Sequence, residues 1–124
     1  MAVVSTRTNA PHTLHGARFH PLVSPRRGAR ENSLWRVRID PGTPGTPHEV
    51  TREELLLVTA GQAAVQLGET RATASAGDVI VVPADTRFTL EVVGDAPFEA
   101  LVCLPVGGQA RLADGTTFTP PWAE

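Results

Sequence analysis

Two neighbouring stretches decide the fold. The first is Gly42-Thr43-Pro44-Gly45-Thr46-Pro47-His48-Glu49-Val50-Thr51-Arg52-Glu53-Glu54-Leu55-Leu56-Leu57-Val58-Thr59-Ala60-Gly61. The second is Gly77-Asp78-Val79-Ile80-Val81-Val82-Pro83-Ala84-Asp85-Thr86-Arg87-Phe88-Thr89-Leu90-Glu91-Val92. The prolines and glycines from Pro41 to Pro47 interrupt regular structure, since each Pro lacks an N–H and restrains the residue before it. Thr51-Arg52-Glu53-Glu54 resembles a helix N-cap followed by an acidic first turn. A helix there would have to end before Gly61, leaving a segment too short for a stable helix and without a polar face. The reading is therefore a turn and then a strand, with Leu55 to Val58 apolar on both faces as in a strand covered on both sides.

Outward from these stretches the period-two pattern continues. Trp35, Val37 and Ile39 share one face of a strand, with Arg36 and Arg38 on the other. Gln62 to Leu67 and Ala72 to Ala76 flank Gly68-Glu69-Thr70 as a hairpin. Val79 to Val82, Arg87 to Val93 and Phe98 to Leu104 are further strands, separated by turn residues. Short strands with turn signals at this spacing predict an all-β sandwich or barrel. The tail, Phe118-Thr119-Pro120-Pro121-Trp122, is extended by its prolines, and its two aromatics call for an apolar partner: the barrel wall or a second subunit.

The 124 residues suit one domain. It divides into an N-terminal strand segment (1–32), a barrel core (about 33–106) and an extended tail (107–124). A net charge of −2 offers no basic field for a nucleic acid or an anionic membrane. All eleven cationic residues are Arg, so lysine Schiff-base chemistry is excluded, and Tyr is absent. The single cysteine, Cys103, can form neither an internal disulfide nor a multi-cysteine zinc site. Ala2, Val3 and Val4 fall far short of a signal-peptide core and no run approaches a membrane span, so the expected location is cytoplasmic.

The spacing resembles the two motifs of the cupin superfamily, particularly small single-domain bacterial members with an RmlC-like jelly roll. The first motif runs Gly, five residues, His, one residue, His, three or four residues, Glu, six residues, Gly. It is matched by Gly42, His48, Glu54 and Gly61, with Val50 in the place of the second His. The second motif is matched by Gly77 and Pro83. There Asp85 replaces a Gly, Phe88 a His and Val92 an Asn. The resemblance implies a double-stranded β-helix barrel. Gly61 and Gly77 would serve turns, and Asp85 tolerates the left-handed region better than most non-Gly residues.

In metal-bearing cupins three His and one Glu converge inside the barrel on iron, manganese, zinc, copper or nickel. This chain keeps His48 and Glu54 only, and Val50 and Phe88 have no electron pair to donate. Three protein ligands is the usual minimum for a catalytic metal site. No tightly bound cofactor is therefore expected, and His48 and Glu54 are an incomplete metal set. The leading reading is a small-molecule pocket in which His48 and Glu54 act as proton-transfer groups for an isomerisation, cyclisation or epimerisation. Val50, Leu56, Phe88, Arg36, Arg38 and Cys103 are candidate lining residues.

The alternative is a metal enzyme, for example an oxygenase, in which a divalent ion (Fe, Mn, Zn or Ni) is held by His48, Glu54 and a recruited histidine. His12, His15 and His20 are the other histidines. In the bland reading His48 and Glu54 merely satisfy each other. A third class is a regulatory or assembly protein with a barrel interior filled by side chains. Edge strands and the aromatic tail favour a homodimer.

Overall fold

In the computed structural model, which describes residues 2–124, antiparallel strands build two six-stranded sheets packed face to face. The first sheet runs, in spatial order, β1 (His12–Leu14), β2 (Ala17–Val23), β3 (Asn32–Ile39), β10 (Phe98–Pro105), β5 (Glu54–Ala60) and β8 (Val79–Val82). The second runs β12 (Thr117–Phe118), β11 (Ala110–Leu112), β4 (His48–Val50), β9 (Phe88–Val93), β6 (Gln62–Leu67) and β7 (Thr70–Ser75). This is the all-β jelly-roll barrel the spacing predicts. No α-helix occurs among the described residues, and none is long and apolar enough to cross a membrane.

Side-chain parity builds the interior. On β3, Trp35 and Val37 are buried while Arg36 and Arg38 are exposed. The segment Leu55–Val58 departs from its reading. Leu56 and Val58 are 4% and 1% exposed, but Leu55 and Leu57 are 38% and 40% exposed. Their face of the first sheet carries no second layer of the same chain. The 62–75 hairpin forms as expected, with its second strand starting at Thr70 and not at Ala72. A two-residue loop suffices because Gly68 has φ +56°, the requirement of the first central position of a type II′ turn.

The motif glycine Gly61 has φ +73°, and a Cβ there would collide with the Pro97 carbonyl oxygen. Asp85 occupies the left-handed region at φ +57°, as its place in the motif suggests. One half of the barrel is filled by Val58, Ala63, Val65, Val82 and Phe98, all essentially removed from water. The other half is left open, and the two terminal segments shape it.

The N-terminal hairpin turns at His15 (φ +52°) and Gly16 (φ +78°), the type I′ geometry that matches strand twist. Its tip presses on the 42–46 loop, since a Cβ on Gly16 would sit 2.7 Å from Thr43 Cγ2. The tail adds β11 and β12 to the second sheet and then returns to the first. There the buried Ser33 and Ser24 hydroxyls donate to the Ala123 and Glu124 carbonyls, both at 2.7 Å. Trp122 stacks on Phe19 with ring centroids 3.8 Å apart and planes 4° from parallel. The tail's tryptophan is thus used by the barrel's own wall.

Candidate functional site

A cavity of about 150 Å³ occupies the open half of the barrel. Phe19, Trp35, Val37, Glu54 and Leu56 reach it from the first sheet, His48, Val50 and Phe88 from the second, and Trp122 from the tail. His48 owes its position to the loop before it. Gly45 lies so close to β9 that a Cβ would stand 2.7 Å from Thr89 Cγ2 and 3.0 Å from the Leu90 oxygen. This contact sets the entry into β4, where His48 pairs with Phe88 across the strands and their rings meet edge to face at 5.2 Å.

His48 Nδ1 lies 2.9 Å from the Thr46 carbonyl oxygen. A carbonyl can only accept, so Nδ1 donates, and the neutral ring carries its lone pair on Nε2. Burial lowers the His48 pKa below its ordinary 6.5. The Thr46 carbonyl works against that shift, and His15 adds slightly to it.

Glu54 opens β5 and is 7% exposed. No hydrogen bond or ion pair to its carboxyl occurs among the described residues, and burial alone raises its pKa from 4.5 to about 7. His48 and Glu54 do not satisfy each other: they reach the cavity from opposite sheets and form no ion pair. The arrangement is a carboxylic acid and a neutral imidazole, each with a free polar atom, in an otherwise mostly apolar chamber.

Of the other residues proposed to line the pocket, Val50, Leu56 and Phe88 do so and are buried. Arg36, Arg38 and Cys103 do not. Because Trp35 and Val37 point inward, both arginines stand on the outer face beside Arg18, His20 and Glu99. Arg38 pairs there with Asp40 (3.4 Å) and Glu99 (3.7 Å). Cys103 alternates with the inward Val102 and Leu104, and its Sγ lies 3.9 Å from Asn32 Oδ1. Burial, then the charge of Glu54, push its thiol pKa up, away from nucleophile chemistry.

His20 lies with Nε2 3.1 Å from the Thr6 carbonyl oxygen, and His12 lies tilted against Trp122. His15 alone of the three reaches the cavity, from the exposed hairpin tip. Sequence reasoning missed Phe19, Trp122 and Arg111. The first two line the cavity. Arg111 Nη1 donates to Glu49 Oε2 (2.9 Å) and Asp85 Oδ1 (3.2 Å), which ties β11 to β4 and holds Glu49 off the cavity. The Pro-Pro-Trp run was the available signal for Trp122. Arg111 had none.

The donor set does not fit a resident metal. His48 Nε2 and Glu54 are suitable ligands, but Val50 and Phe88 fill the places where further donors would stand. Among the described residues no three His, Cys, Asp or Glu side chains come together in a metal-sized group.

Residues 35–104, more than half of the chain, match the family model for the Cupin domain. The chain belongs to the cupin family. Solved cupin-like structures agree with the fold. The polyketide cyclase RemF from Streptomyces resistomycificus is similar over 85% of this chain and 79% of its own, with a TM-score of 0.72 and 18% identity. A predicted oxalate decarboxylase from Thermotoga maritima covers 82% of this cupin and 96% of itself (TM-score 0.70, 18% identity). An RmlC-like cupin from Shewanella frigidimarina covers 79% and 84% (TM-score 0.67, 15% identity). At these identities the likeness carries the fold alone. No match was found among curated proteins.

Proposed function

We propose that this cupin binds a small molecule in its barrel cavity and moves protons on it. One observation carries the reading: Glu54 presents a carboxyl without a protein partner to the same chamber as the free Nε2 of His48. That carboxyl opens onto the cavity and not onto a protein group, so a bound molecule can pair with it there. At neutral pH a carboxyl titrating near 7 still holds a proton in about half of the molecules, while a lowered imidazole is neutral. His48 Nε2 then takes a proton from a carbon acid next to a carbonyl, and Glu54 gives one to the carbonyl oxygen. Return of the proton to a different carbon or face gives isomerisation or epimerisation. Attack of the enol carbon on a second carbonyl of the same molecule, with the enol proton returning to Glu54 and the His48 proton passing to the new alkoxide, gives cyclisation. General acid–base catalysis of this kind contributes about 10² to 10⁴ in rate.

The oxygenase reading would require His15 to swing in from the hairpin tip as third ligand. Elemental analysis of protein purified without chelator separates the two. Iron, manganese, zinc and nickel are expected well below one per chain, with no change on His48→Ala. One equivalent, lost in that variant, would replace the proton-transfer reading with the metal one.

We place the protein in the cytoplasm and as a homodimer. The second copy is assigned to the outer face of the first sheet, where Leu55 pairs with Val81 and Leu57 with Val79, all four exposed. Sedimentation of the wild-type chain at micromolar concentration is expected to give a dimer and Leu57→Glu a monomer. A monomeric wild type would remove the assignment.

A further inference from the structure

Resting on the reading of this cavity as a ligand site, we infer that its ligand carries no negative charge, is about the size of a singly substituted benzene ring, and offers a neutral oxygen function such as a ketone, and that carboxylates and phosphates are excluded. The walls lack a cation. Every strong cation of the chain is an Arg, and none of the eleven lines the cavity. The nearest in function, Arg111, is already committed to Glu49 and Asp85 outside it. A ligand carboxylate or phosphate would be stripped of water with no guanidinium to receive it, and would stand in the same apolar chamber as Glu54.

A neutral ketone avoids this difficulty. Its oxygen accepts from the protonated Glu54, while an enol hydroxyl or acidic C–H meets the lone pair of His48 Nε2. The size follows from the volume, since an apolar cavity of about 150 Å³ is one that holds benzene. The shape follows from Phe19, Trp35, Phe88 and Trp122, whose ring faces and edges favour a flat partner.

The test uses two probes of one shape: acetophenone and benzoate. Both tryptophans of the chain line the cavity, so their two indole ¹H–¹⁵N signals report its occupancy directly. At pH 7 acetophenone is expected to shift both signals saturably and to bind on the order of tenfold or more tighter than benzoate. Binding of acetophenone is expected to survive in Glu54→Gln, which keeps a hydrogen-bond donor. Benzoate binding as tightly as acetophenone would overturn the exclusion of anions and leave the cavity standing as a ligand site. Failure of both probes to shift either indole would overturn the ligand class and the ligand site together.

Discussion

Replacing Glu54 by Gln is expected to raise stability at pH 8 by about 3 kcal/mol and to leave it close to the wild-type value near pH 4. The sign follows from the direction of the shift. In the folded chain Glu54 holds its proton up to about pH 7, whereas in the unfolded chain it releases it near 4.5. Between those values the native state binds the additional proton, so wild-type stability falls as pH rises through the window and is flat above it. The amide of the Glu54→Gln variant has no proton to lose and takes no part in this fall. His48 contributes in the opposite sense. Its lowered pKa stabilises the fold above 6.5, and that contribution is lost as pH falls below 6.5. Both proteins share it, so it cancels in their difference. Urea unfolding of the two chains at several pH values gives the comparison. A pH-independent difference would mean an unshifted, hydrated carboxyl, and a loss at pH 8 would mean that the carboxylate has a partner.

Trp122→Ala is expected to cost about 3–5 kcal/mol, the usual range for removing a large buried aromatic. The ring is 6% exposed, stacks on Phe19 and meets Trp35 edge to face at 6.4 Å. Trp122→Phe is expected to stay within about 1 kcal/mol of wild type, because the new ring keeps the stack. It also removes Nε1, a buried donor with no acceptor, whose loss is favourable. Denaturant midpoints at constant slope measure both. Equal losses in the two variants would show that the indole N–H has an acceptor, and that the tail is held by more than ring contact.

Most of the barrel was legible because its signals are local. The parity of Trp35, Val37 and Ile39, the breakers around each strand, and the paired motif glycines each depend on one turn or one pleat. The error at Leu55 and Leu57 has the same root. An apolar run states what a strand could bury, and only the layering of the sheets states what it does bury. The site was half legible. His48, Glu54, Val50 and Phe88 could be placed by spacing, since motif positions fix which residues point inward. Arg36 and Arg38 are candidates for the pocket whose parity, opposite Trp35 and Val37, favours the outer face where they stand, and Cys103 likewise alternates with the inward Val102 and Leu104. Trp122 and Arg111 depend on contacts between distant segments, such as the Ser33 bond to Ala123, which no local pattern encodes.

A neutral acid and a neutral base share one mostly apolar chamber. The carboxyl carbon of Glu54, labelled with ¹³C and followed by NMR from pH 3 to 10, tests this most directly. The predicted titration midpoint is about 7, with no step at the ordinary value of 4.5. A midpoint at or below 4.5 would show a hydrated or partnered carboxylate, ionised at neutral pH, and would contradict the account.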